Sequence, residues 1–265
     1  MVVMVLDNVT IVDIERKIPL GSTNPYIVKC SNEKKYVAKF PGNPEGTRVL
    51  INEYVCAELA KLLGLPIPNF KLINVQEIDR FKDLLPDINL INGTVFCSEF
   101  VDKSTSVPGY YVLTKLSNKY DAIKILIFDV IIGNNDRNPG NLLINFRNNS
   151  LIMIDHSHVF VHQAVWNERN LSELIGGEID LSKMNKFHFD NLSLCLNDVN
   201  YKPVISEYIQ CIRNIDDDKI ECIINSIPSD WIITKQEKKC LKAFLLDRLH
   251  RINEICRLLN IEGGD

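Results

Sequence analysis

The chain has 265 residues, 46% of them hydrophobic and 24% charged, with a formal charge of −4. That composition excludes a disordered polymer, and the acidic balance excludes a broad electrostatic grip on nucleic acid, which needs a clustered basic surface. No run reaches the roughly 20 uninterrupted apolar residues of a membrane span, so a folded protein of one large or two modest domains is expected.

The first segment, MVVMVLDNVTIVDIERKI, is apolar but interrupted by Asp7 and Asp13, with no early positive charge and no small-residue cleavage site. It reads as strand rather than signal peptide, which makes the reducing cytoplasm the expected location. Eight cysteines are scattered without a CxxC pair, so they read as buried thiols and not as a zinc site or disulfide framework.

Short strands are expected at Val9–Val12, Tyr26–Cys30 and Tyr36–Phe40, with turns at Gly21–Pro25 and Ser31–Lys34, as an antiparallel meander. A helix follows at Thr47–Leu63. Leu50, Tyr54, Ala57, Leu59 and Leu62 share its apolar face, and Gly64 and Pro66 close it. Strands Phe70–Val75 and Gly93–Phe100 complete a small sheet with one helix. The polar connector Asp102–Gly109 is the expected boundary, dividing the chain into 1–101 and 102–265. The second part reads as mainly helical, with helices at Tyr120–Ile132, Asn170–Ile175, Pro203–Ile212, Asp217–Ile227 and Thr234–Leu259. The first is apolar on nearly every side and therefore buried. The last carries Leu241, Leu245, Leu249, Ile252, Cys256 and Leu259 on one stripe. The fold class is α+β.

The stretch from Gly133 to Phe160, GNNDRNPGNLLINFRNNSLIMIDHSHVF, concentrates the chemistry. Asn-Asn-Asp and Asn-Pro-Gly form turns, and Asn148-Asn149 closes a hairpin between Leu142–Ile144 and Leu151–Ile154. Asp136 and Asn141 lie five residues apart on one loop, and Asp155 follows fourteen residues later at a strand end. A D-x-x-x-x-N loop presents one carboxylate to a hydroxyl while an amide oxygen reaches a metal on phosphates. Hard oxygen ligands on fixed strands suit magnesium bound to phosphate. Each residue alone is equally a turn former; the three together point to phosphoryl transfer.

Lys39, in YVAKF, falls on the strand face opposite Ala38 and Phe40, and a lysine on the inner face needs a partner. Glu53 on the following helix is the candidate, with Glu58 an alternative and a solvated edge lysine the plain reading. The turn LGSTNPY, with Gly21, Ser22 and Thr23, can offer N–H and hydroxyl groups to phosphate or be a simple turn. Phe96–Val101, which contains Glu99, lies where an adenine ring meets backbone, or is an ordinary buried strand. His156 and His158 form an HxH pair without an apparent third ligand, so core or activation-segment roles are expected.

In this order, YVAKF, NEYVCAELAKLLGLPIP, GNNDRNPGNLLIN and LIMIDHS resemble the HipA-like kinases, a branch of the protein-kinase-like superfamily, with a weaker likeness at IPSDW and the last helix. The resemblance implies a two-lobed protein-kinase-like fold, with a small antiparallel-sheet N-lobe carrying one helix and a mainly helical C-lobe. It implies a serine/threonine kinase using ATP and Mg2+ on a protein substrate. Lys39 would contact the phosphates, Glu53 would orient it, Asp136 would be the base, and Asn141 and Asp155 the metal ligands. Gly21, Ser22 and Thr23 would cover the nucleotide, with Ser22 or Thr23 a candidate for autophosphorylation, and Glu99 and Val101 would meet the adenine.

The chain departs from typical protein kinases: no His-Arg precedes Asp136, Asp-His-Ser replaces Asp-Phe-Gly, Ala-Pro-Glu is missing, and the Gly21 turn lacks G-x-G-x-x-G. These departures bring conventional activation-loop control into question. The N-terminal region through which HipA toxins engage an antitoxin is not recognisable, so no antitoxin partner is implied. DRNPGN and IDHS are also similar to type II phosphatidylinositol 4-kinases, which keeps a lipid or small-molecule hydroxyl open. A nucleotide-binding pseudokinase and a protein-binding domain of the same fold are the competing classes.

Overall fold

A computed structural model describes residues 9–19, 21–76, 81–88, 92–161 and 163–261. The expected strand over the first eight residues lies outside them. The sheet is antiparallel throughout, in the order β1-β2-β3-β5-β4, built from β1 (Ile11–Lys17), β2 (Tyr26–Cys30), β3 (Lys35–Lys39), β4 (Phe70–Val75) and β5 (Gly93–Glu99). One sheet face packs Val28, Tyr36, Ala38, Ile73 and Val95 into a core of its own. Period-two alternation then forces Val37 and Lys39 to the other face, towards α1 (Arg48–Leu62).

α1 is buried along most of its length, and its apolar side chains join one continuous core with the helical lobe. That lobe is centred on α2 (Asp121–Ile131), enclosed as its all-round apolar sequence requires. Around it lie α3 (Glu168–Leu174), α4 (Lys186–Leu192), α5 (Tyr201–Arg213), α6 (Asp217–Asn225), α7 (Lys235–His250) and α8 (Ile252–Leu258). The fold is therefore α+β and two-lobed. Among the described residues no helix is long and apolar enough to cross a membrane.

Three differences from the sequence reading have physical causes. The first strand begins at Ile11 rather than Val9 and runs on to Lys17, since pairing with β2 extends it through irregular register. The polar connector contains β6 (Ser104–Ser106), which pairs with β7 (Leu142–Asn145), itself paired with β8 (Ser150–Met153). The final helix is two helices, because the chain turns at Arg251, whose guanidinium reaches Asp247, Glu254 and the Gly177 carbonyl. Leu249 and Ile252 are buried on either side of the break, so the apolar stripe runs through it.

The β7–β8 hairpin positions the site. Leu142 pairs with Met153, and Ile154 N–H donates to the Asn141 carbonyl at 3.0 Å. The residue entering β7 and the residues leaving β8 are thereby held side by side.

The lobes are joined behind α1 as well as through the connector. Asp230 accepts from Thr94 N–H (2.6 Å) and Oγ1 (2.9 Å), Trp231 Nε1 donates to the Thr94 carbonyl at 2.8 Å, and Ile232 N–H donates to Thr47 Oγ1 at 3.2 Å. Arg48 meets Glu237 at 2.6 Å and stacks over Trp166 at 4.1 Å.

Candidate active site

Lys39 ends β3 with its ammonium buried and fully engaged. It donates to Glu53 of α1, to Asp155 Oδ1 at 2.9 Å and to Ser157 Oγ at 2.7 Å. Ser157 Oγ also lies 2.7 Å from Asp155 Oδ1 and 3.1 Å from Glu53 Oε1. Burial works against the ammonium, but the carboxylates of Asp155 and Glu53 more than offset it, so Lys39 stays charged. Asp155 is likewise opposed by burial, yet Lys39 and Ser157 hold its carboxyl well below the usual carboxylate range. Burial pushes the Glu53 carboxyl up and Lys39 pulls it down. With one cation against two carboxylates, the cluster suits an additional positive charge.

Asp155 has a left-handed backbone, φ 59°, a conformation that non-glycine residues seldom adopt. At the chain reversal after β8, its carboxylate meets Lys39 in the cleft.

The loop that precedes β7 is organised by one buried ion pair. Arg137, 1% exposed, forms a fork with Asp129 of α2, 0% exposed, through Nε–Oδ2 at 3.0 Å and Nη2–Oδ1 at 2.9 Å. Its remaining N–H groups reach the carbonyls of Asn141 (3.2 Å) and Ile154 (2.8 Å). Burial opposes the guanidinium's charge and Asp129 restores it. His156 Nε2 sits 3.0 Å from Arg137; burial and that neighbouring cation push the imidazole well below its ordinary range. His156 is therefore neutral, and its 3.9 Å approach to Glu53 is no ion pair. Asn134 accepts from Asp136 N–H at 3.0 Å, and the Asp136 carbonyl accepts from Asn138 (3.0 Å) and Asn141 (3.1 Å). At Gly133, φ +60°, a Cβ would lie 2.7 Å from Val161 Cγ2, so only glycine permits the loop to pair with the segment after Asp155.

Asp136 is half-exposed, and its Oδ2 lies 3.4 Å from His158 Nδ1, while His158 Nε2 meets Glu45 at 2.7 Å. The bond to Asp136 and, beyond the opposing effect of burial, that to Glu45 push His158 up to about 9.

Lys39, Glu53 and Asp155 meet directly, and Asp136 and Asn141 join them through Arg137 and the hairpin ends. Glu99 does not meet this cluster: its carboxylate binds Lys34 at 2.9 Å and Asn69 at 3.3 Å at the C-terminal end of β5. Val101 follows β5, its carbonyl accepting from Ser104 Oγ at 2.7 Å. Gly21, φ +117°, Ser22 and Thr23 form the β1–β2 turn; among the described residues no hydrogen bond ties it to the cluster. Thr23 is 3% exposed, whereas Ser22 is exposed. Asn141 and Asp155 offer an amide oxygen and a carboxylate, a donor set that suits magnesium sharing its shell with phosphates and water. Among the described residues no group of three or more His, Cys, Asp or Glu side chains is gathered for a metal.

The sequence reading missed Ser157, Arg137, Asp129, Glu45 and Asn52. Asn52 donates to the carbonyls of Ser157 (2.6 Å) and Gln163 (3.0 Å) and accepts from Trp166 at 2.7 Å. A signal existed for Asp129: an acid within an all-apolar helix demands a cation, and Arg137 is the arginine beside the loop acid.

The fold is that of a kinase-type phosphotransferase. Residues 11–257 match the HipA-like kinase family, and the chain belongs to it. It is similar in structure to the Helicobacter pylori proinflammatory kinase CtkA (TM-score 0.55, 16% identity, covering 95% of this chain and 98% of that one). It is also similar to HipA from the Shewanella oneidensis MR-1 HipA, HipB and operator DNA complex (TM-score 0.53, 13% identity, covering 94% and 68%). No curated protein matches the chain.

Two predictions follow from these contacts. Arg137→Met leaves Asp129 buried without its cation and is expected to cost about 3–5 kcal/mol in urea unfolding; adding Asp129→Leu is expected to recover at least half of that loss, and a purely additive double variant contradicts it. His158 has a folded value above its unfolded one, so its stabilising contribution is complete below pH about 6.5 and lost as pH rises through about 9. The melting-temperature advantage of wild type over His158→Gln should therefore shrink across that window, and a pH-independent difference contradicts it.

Proposed function

We propose that this chain is an ATP- and Mg2+-dependent kinase that transfers the γ-phosphoryl group to a serine or threonine hydroxyl of a protein. The observation that supports it most is the Lys39 ammonium bound to both Glu53 and Asp155, beside a loop presenting Asp136 and Asn141.

Nucleotide binds between residues 1–101 and 102–265. Lys39, oriented by Glu53, contacts the phosphates. The backbone of Glu99 and Val101 meets the adenine, and the Gly21–Thr23 turn covers the phosphates. Asn141 and Asp155 hold magnesium, which when bound neutralises charge developing on the phosphate oxygens. Asp136, half-exposed and aligned by Asn134 and His158, accepts the proton of the acceptor hydroxyl. Positioning and electrostatics carry the rate, with no covalent intermediate on the protein. Ser22 is exposed and Thr23 buried, so Ser22 is the proposed position of self-phosphorylation.

Incubation with γ-labelled ATP and magnesium tests the assignment. Asp136→Asn is expected to lower labelling of the protein and of added protein acceptors by about 10²–10⁴-fold while its melting temperature stays close to wild type. Equal labelling by the two proteins contradicts the assignment.

A further inference from the structure

One charged side chain of the helical lobe is buried without a hydrogen-bonded partner among the described residues. Arg248 of α7 is 3% exposed, and no hydrogen bond or ion pair is found for it among the described residues. Its Nε is enclosed without an acceptor. Its guanidinium lies 5.2 Å from the ring of Phe244, which supplies no hydrogen bond. Two acids near it in sequence are committed elsewhere: Arg251 takes Glu254 at 2.7 Å and Asp247 at 3.3 Å, and Asp247 also accepts from Gly176 N–H at 3.0 Å. Burial pushes the guanidinium below its ordinary range although Asp247 and Glu254 attract it without bonding to it; a guanidinium withdrawn from water without a hydrogen-bonded counter-charge is costly, and this one lies on the wall of a partly open cavity of about 60 Å³.

That cavity adjoins the catalytic loop. Asn135, next to Asp136, lies on its wall with a buried, unpartnered Oδ1, while its Nδ2 donates to the Val161 carbonyl at 3.1 Å. A ligand that completes this site needs acceptor oxygens for an arginine fork and one donor for Asn135. The space is that of roughly four to six water molecules, enough for a single small oxyanion and not for a nucleotide. The charges at the mouth, Glu178, Asp180 and Lys183, are exposed and screened by solvent, and Asp180 is also bonded to Ser182.

We propose that this cavity is a second anion site, which binds a phosphate-type group through the Arg248 guanidinium and a protonated phosphate oxygen facing Asn135. Bidentate recognition of phosphate is the chemistry for which arginine is suited. The group is either free inorganic phosphate or a phosphoryl group carried on a side chain. Asn135 leads into Asp136, and Val161 belongs to the segment after Asp155, so an occupied site ties both segments to α7.

Thermal unfolding of the full chain at pH 7 and fixed ionic strength tests this. For a dissociation constant of about 1 mM, 20 mM inorganic phosphate is expected to raise the wild-type melting temperature by about 4 °C. Arg248→Met should melt above wild type in phosphate-free buffer, since it removes an uncompensated buried charge, and should gain nothing from phosphate. Any phosphate binding near Lys39 is common to both proteins and cancels in the comparison. O-phosphoserine at the same concentration distinguishes the sources: a larger rise than with phosphate identifies a side-chain phosphoryl group, an equal or smaller one the free ion. No wild-type response, or an equal response in Arg248→Met, overturns the proposal. If Arg248→Met does not fold, Arg248→Lys keeps the charge without the fork and should bind phosphate at least about fivefold more weakly; unchanged binding overturns it.

Discussion

The Arg137–Asp129 pair is the constraint on which the rest of the site depends. A fully buried acid near the end of a largely enclosed helix is tolerated only with a cation in good geometry, and Arg137 supplies a two-bond fork. Its other N–H groups then fix the carbonyls of Asn141 and Ile154, the residues flanking the hairpin ends. A single guanidinium thereby couples the central helix to the loop bearing Asp136 and to the strand end bearing Asp155. Breaking it would both expose an unpaired charge to the core and free those two ends from one another.

A second set of contacts fixes the small lobe. In many kinases the helix bearing the lysine's glutamate partner is positioned by control of the activation loop. Here α1 is held from several directions: Arg48 by Glu237 and Trp166, Asn52 by the carbonyls of Ser157 and Gln163, and Thr47 by Ile232. The replacement of Asp-Phe-Gly by Asp-His-Ser contributes directly, since the Ser157 hydroxyl joins Lys39, Glu53 and Asp155, and His156 packs against Arg137. Departures from the usual kinase pattern are, at these positions, parts of the cluster's own architecture.

Much of this was legible in the residues. Strands Tyr26–Cys30 and Phe70–Val75 fall where alternation and turn formers put them, and Gly64 and Pro66 end α1. A lysine on an inner strand face called for an acid, with Glu53 the candidate, Glu58 the alternative and a solvated edge lysine the plain reading; the fold brings Glu53 to it. What was hidden depends on tertiary partners. Three residues of Ser and Thr in a polar connector become β6 because β7 offers them an edge. The break at Arg251 is set by side chains reaching Gly177, Asp247 and Glu254, which a continuous apolar stripe does not reveal. Ser157 stood out only as the last residue of Asp-His-Ser, and its contact with Lys39 is made by the fold.

Packing alone brings Lys39, Glu53, Asp155 and Ser157 together, so the proposed activity needs no prior modification of the chain. The most direct test is the initial rate of phosphoryl transfer by protein freed of all phosphate with a phosphatase, followed from the first turnover beside the untreated protein. Both proteins are expected to show the same rate, with no lag. A lag that shortens as the protein phosphorylates itself, or a dephosphorylated form that is inactive until modified, would contradict it.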